Sequence, residues 1–140
     1  MATTATITVD SDIMPGFGSY SKTMTLTEAG TTIDIKETTG YSRRKLATAS
    51  KVDLVTMANL IVGEDTANLS HKIFIKNIGW NGTIDKTQSV KVFINSIEIG
   101  VLYGGDWLMM PIIASDGEDV EVQASDDNAV VLEWVMFYEG

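Results

Sequence analysis

At 140 residues and 15.2 kDa the chain has the size of one ordinary domain. Its balance of 44% hydrophobic and 21% charged residues excludes wholesale disorder, and no apolar run approaches the ~20 residues of a bilayer-spanning helix, so no membrane association is expected. The absence of cysteine removes disulfides and thiolate metal sites, and the net charge of −9 argues against a nucleic-acid partner.

In chain order, the first half is made of short threonine-rich segments alternating at period two, which favours strands with one buried face. Thr6-Ile7-Thr8-Val9, Thr23-Met24-Thr25-Leu26 and Thr32-Ile33-Asp34-Ile35 are the three examples. Pro15-Gly16-Phe17-Gly18 interrupts them, so residues 1–20 read as an N-terminal strand or arm and 21–140 as one domain. Over Lys51–Val62 a strand followed by a short helical turn competes with a helix, and Gly63 closes the element.

The second half is clearer. His71–Lys76 is an apolar strand followed by turn signals at Asn77 and Gly79. Val90, Val92 and Ile94 alternate before Asn95-Ser96, and Ile97, Ile99 and Val101 alternate after it, which predicts a hairpin. Leu108–Ile113 carries Pro111, which assigns it to an edge or a bulge. Val120 and Val122 mark a half-exposed strand. Ala129–Tyr138 is apolar on both faces apart from Glu133, as in a strand lying between two covering layers or under another subunit. The expectation is an all-β fold, an antiparallel β-sandwich of jelly-roll type.

No constellation for chemistry emerges. His71 is the only histidine and opens an apolar strand, and there is no nucleophile elbow, phosphate loop or dinucleotide glycine pattern. Asp116–Asp119 and Asp126–Asn128 offer hard oxygen ligands, but neither has the ligand spacing of a calcium loop. The chain therefore reads as no enzyme, with no cofactor and no metal. Asn68-Leu69-Ser70 and Asn81-Gly82-Thr83 match the glycosylation triplet by chance, and Asn81-Gly82 is better read as a tight turn.

Charge is split along the chain: all 10 Lys and Arg lie at or before Lys91, facing 9 acidic residues, while Val92 onward carries 10 acidic residues. Arg43-Arg44-Lys45 falls in an expected loop, read first as a solvated turn and more sharply as a docking point for an acidic partner. Trp80, Tyr103 and Trp107 adjoin turns and are candidates for exposed contact, whereas Trp134 belongs in the core.

From His71 to Gly140 the pattern is linked. A His-Lys-Ile-Phe-Ile-Lys-Asn strand and a Val-Lys-Val-Phe-Ile hairpin lead to Ile99-Gly-Val-Leu-Tyr-Gly-Gly-Asp-Trp107. Pro111, an acidic turn into Val120-Glu-Val, and Leu132-Glu-Trp-Val-Met-Phe-Tyr-Glu139 complete it. Over this half the chain resembles small virion structural proteins of tailed bacteriophages of the cyanophage type. The resemblance implies a β-sandwich present in many copies as a symmetric oligomer, a trimer being favoured. Its partner would be the major capsid protein or another virion protein.

A capsid decoration (cement) protein on the capsid exterior, made in the host cytoplasm, is the first expectation. A tail or fibre component is the second, and a carbohydrate-binding module using Trp80 or Trp107 the third. The candidate interface comprises Trp80, Tyr103, Trp107, Met109, Met110, Phe137, Tyr138, Arg43 and Arg44.

Overall fold

The computed structural model describes residues 4–9, 20–25, 35–56, 70–80, 83–113, 119–125 and 129–139. Among these residues every regular element of more than a single bridge is a strand: β1 (Thr4–Val9), β2 (Tyr20–Thr25), β3 (Ile35–Thr38), β4 (Ser42–Leu46), β5 (Val52–Val55) and β6 (Ser70–Asn77). There follow β7 (Ser89–Ile94), β8 (Ile97–Tyr103), β9 (Trp107–Ile113), β10 (Val120–Ala124) and β11 (Val130–Glu139).

From β4 onward the pairing is nested. β7 pairs with β8, β6 with β9, β5 with β10 and β4 with β11, all antiparallel. The chain is thus one long hairpin whose tip is Asn95-Ser96, rolled up into two sheets ordered β5-β10-β7-β8 and β4-β11-β6-β9. That is the jelly roll of an antiparallel β-sandwich. The tip needs left-handed backbone at two successive residues, and Asn95 and Ser96 have φ of 48° and 65°.

The core lies between the sheets. Val90, Val92, Val120 and Val122 of one sheet face Ile73, Ile75, Leu132 and Met136 of the other, all essentially inaccessible to water. Each such side chain contributes roughly 1.5–3 kcal/mol relative to exposure. β10 alternates buried and half-buried residues, as its Val120/Val122 pattern predicts.

β11 is central, flanked by β6 on one edge and by β3 and β4 in succession on the other. Val130, Leu132 and Met136 are buried, while Val131, Val135 and Phe137 are half-buried, which accounts for a strand apolar on both faces. Trp134, expected within the core, is only partly buried and packs against it.

Among the described strands β9 pairs with β6 alone, so Pro111 sits on an edge strand where its missing N–H disturbs no second described ladder. The helical turn expected after Val55 and the acidic loop at Asp126–Asn128 fall outside the described residues.

β1 and β2 form a separate two-stranded ribbon. Thr6 and Thr23 hydrogen-bond across it at 3.0 Å, and Thr8 and Ser21 at 3.2 Å. Two strands alone are marginal in water, so the ribbon depends on cover from elsewhere.

Candidate functional site

The turn from Tyr103 to Trp107 is pinned around a single buried residue, whose backbone bonds the turn while its side chain bonds the segments beside it. Asn77, the last residue of β6, donates from Nδ2 to the carbonyls of Leu102 (3.0 Å) and Gln88 (3.2 Å). Its Oδ1 accepts from the N–H of Gly79 at 2.9 Å. Its backbone closes the set, accepting from Gly105 N–H and donating to Asp106 O, both at 2.9 Å. The Asp106 carboxylate accepts from the Tyr103 N–H at 2.9 Å.

The glycines here are required by space. A Cβ at Gly104 would overlap the carbonyl of Asp85, one at Gly79 would overlap that of Thr83, and Gly79 and Gly105 have φ of +74° and +97°. Around this pinned turn stand three exposed hydrophobic side chains, Ile84, Tyr103 and Trp107. Asp85, in the neighbouring loop, has its carboxyl held below the usual range by hydrogen bonds from the Thr87 hydroxyl and N–H.

On the outer face of the β4-β11-β6-β9 sheet, Trp107 leans on Phe74 with ring centroids 6.0 Å apart and planes tilted by 33°. A groove of about 300 Å³ separates this face, at Phe74, Lys76, Trp107 and Met109, from Ala5–Ile7 of the ribbon. Met110, one residue on, turns inward and packs against the core. Phe137 is half-buried; its register partner is Lys72 of β6. For Tyr138 the structure describes the backbone, which pairs with Glu37.

The basic cluster is not a loop. Arg43, Arg44 and Lys45 lie in β4, and each is engaged. Arg43 pairs with Glu133 at 2.6 Å, Arg44 donates to the carbonyl of Asp53 at 2.8 Å, and the Lys45 ammonium lies 4.1 Å from the centre of the Trp80 ring. Arg44 therefore ties one sheet to the other, and Trp80 is half-buried under a cation. Burial raises the Glu133 carboxyl, but hydrogen bonds from Tyr41 and Arg43 outweigh it and hold the group below its ordinary value. The Tyr41 hydroxyl is correspondingly pushed up, by burial first and then by its bond to Glu133.

At the far end, the tip of the β7–β8 hairpin is clamped as well. Asn95 N–H donates to Asp119 O (3.1 Å) and Ser96 N–H to Glu121 (2.7 Å). Lys51 bridges Glu121 and the Ser96 hydroxyl at 2.7 and 2.9 Å, holding the Glu121 carboxyl down. Between these two fixed ends β8 pairs, among the described strands, with β7 alone; Ile97, Ile99, Val101 and Tyr103 are exposed, while Leu102 is buried.

The sequence pattern marked Asn77 only as a turn signal and did not foretell its burial or the exposure of β8. An Asn before a glycine reads as a turn signal whether its side chain is buried or solvated. His71 is buried, facing the interior. Among the described residues no three of His, Cys, Asp and Glu gather as a metal site.

No family model matches the chain, and no curated protein matches it. Among solved structures, the cupin domain of Schizosaccharomyces pombe Cnp3 is similar at 7% identity and a TM-score of 0.40, over 98% of this chain and 83% of that one. At that score the likeness carries no argument about function; the fold class rests on the strand order above.

Proposed function

We propose that the chain is a non-catalytic structural protein of a bacteriophage virion, a capsid decoration (cement) subunit binding the major capsid protein from outside, in several copies. The supporting observation is the rigid turn at Tyr103–Trp107. It holds Ile84, Tyr103 and Trp107 exposed on a scaffold fixed by Asn77, and anchors of this type dominate protein–protein contacts. Jelly-roll domains recur in viral capsids, which is an analogy of architecture only. The acidic second half suits an outer particle surface, where it repels nucleic acid and favours solubility.

Quantitative mass spectrometry of purified virions tests this reading. Hundreds of copies per particle are expected; a few or dozens indicate a tail or fibre component instead, and absence from particles ends the proposal. A second reading, a carbohydrate-binding module, is favoured by one observation: the exposed Trp107 ring beside the groove at Phe74 and Met109. It requires a glycan-array signal that is lost in Trp107→Ala.

A further inference from the structure

We infer that the outer face of the β4-β11-β6-β9 sheet binds an acidic polysaccharide, laid across the strands along the row Arg43, Glu133, Lys76 and Trp107. The inference rests on the carbohydrate-binding reading of Trp107 and adds the charge of the glycan and its path. Strand register makes the row. Arg43 is opposite Glu133, Glu133 opposite Lys76, and Lys76 opposite Trp107, so the four side chains share one face. At strand spacings of about 4.8 Å the row runs about 14 Å, the reach of a short oligosaccharide. An exposed aromatic stands at each end: Trp107 is 47% exposed, and Tyr41, whose hydroxyl donates to Glu133, is 61% exposed. Two such rings offer flat apolar surface to the C–H faces of sugars along the row.

The polar groups between the rings decide the charge of the ligand. The Glu133 carboxylate already accepts from the Tyr41 hydroxyl and from two nitrogens of Arg43, so the one acceptor side chain of the row is spent. Donors remain. Arg43 uses two of the five N–H groups of a guanidinium, and its side chain is 70% exposed. Lys76 borders the groove beside Trp107 and forms no ion pair with a described residue. A ligand that fits this row supplies acceptors and negative charge, as carboxylate or sulfate groups on a sugar do and hydroxyls alone do not.

Charge also singles out this face. The row sets two cations against one carboxylate, and Lys45, two residues along β4, adds a third cation above Trp80. Across the other sheet, the row Asp53, Glu121, Phe93 and Glu98 carries three carboxylates, and the lysines beside it, Lys51 and Lys91, are paired with Glu121 and Glu98. In a chain of net charge −9 the cationic surface is therefore local, and a polyanion is steered to it. Space allows a sugar ring beside Trp107. The groove of about 300 Å³ between Lys76, Trp107 and β1 is mostly apolar with one cation, which suits a small-molecule subsite.

Isothermal titration calorimetry of the full chain tests it, with tetragalacturonate, a sulfated dextran oligosaccharide, neutral dextran and poly-L-glutamate as probes. Binding of an acidic glycan is expected, the uronate and sulfate arms telling which anion the row prefers, and it should weaken with added salt. Trp107→Ala and Lys76→Gln should each raise the Kd about tenfold or more, and Tyr41→Ala less. Lys86→Gln, exposed in a loop, is the control and should leave the Kd unchanged. If Trp107→Ala lowers the melting temperature, Lys76→Gln still decides. Neutral dextran bound as tightly as the acidic glycans, with the same loss in Trp107→Ala, keeps the carbohydrate reading and overturns this inference. No glycan bound removes both. Poly-L-glutamate bound as tightly, or an affinity indifferent to Lys76→Gln, shows charge without a sugar site and overturns it as well.

Discussion

The β8 strand and the turn that follows it are adjacent in sequence and opposite in character. Around Tyr103–Trp107 the buried Asn77 makes three side-chain and two backbone hydrogen bonds, Gly104 admits no side chain and Gly105 has φ of +97°, so the backbone is held in one conformation. Ile97, Ile99 and Val101 are apolar yet exposed, and among the described strands theirs pairs with β7 alone. Polarity inside and apolarity outside is the reverse of the usual arrangement. It teaches that the buried polar group fixes the shape while the exposed apolar row is available for contact.

The contrast can be broken most severely at Asn77. Asn77→Ala leaves the Leu102 and Gln88 carbonyls and the Gly79 N–H without their partner. The expected cost is about 3 kcal/mol, read as a fall of roughly 10 °C in melting temperature. Gly104→Ala drives a methyl into the Asp85 carbonyl and should cost about 2 kcal/mol or more in denaturant unfolding. A loss under about 0.5 kcal/mol in either variant would show that the turn is not the rigid element described.

Acid sharpens the comparison at two carboxylates in the inner strands β10 and β11. The Glu133 and Glu121 carboxyls lie below their ordinary value of 4.5 in the folded chain, so folding favours the charged forms. Their contribution is present above pH 4.5 and is lost as pH falls through the lowered folded values. Melting temperature should therefore hold between neutral pH and about pH 5 and decline below it. Glu133→Gln should flatten part of that decline and cost about 0.5–1 kcal/mol at neutral pH, since Arg43 is largely exposed.

The smallest effect is expected at the strand itself. Val101→Ser should change the melting temperature by no more than about 0.5 kcal/mol equivalent, because the side chain leaves no cavity. Removal of residues 1–25 should likewise leave the sandwich cooperatively folded, because β1 and β2 pair only with each other among the described strands. Loss of the folding transition in that truncated chain would make the ribbon part of the domain.

Much of the architecture was legible because strand periodicity is local. The hairpin around Asn95-Ser96, the edge position of Leu108–Ile113 and the doubly apolar last strand each follow from residue type and spacing. The basic cluster was misplaced in a loop because three consecutive cations break the alternation that signals a strand. Only the pairing of β4 with β11 reveals Glu133 opposite Arg43.

The sequence by itself determined an all-β chain without disulfides, with its charge divided near Lys91 and a turn at Gly104-Gly105-Asp106-Trp107. Tertiary structure decided which apolar alternation faces the core. Val90 and Val92 are buried whereas Ile97, Ile99 and Val101 are not, although the two strands read alike. The reason is register: directly opposed residues share a sheet face, so Leu102 and Gly100 lie on the core face with Val90 and Val92, while Val101 lies on the outer face with Lys91. Nor can a pattern of residues state that Asn77 is buried, since its partners come from loops and strands 2 to 25 residues away. Long-range pairing supplies both facts, and with them the distinction between the part of the turn that holds and the strand that is offered.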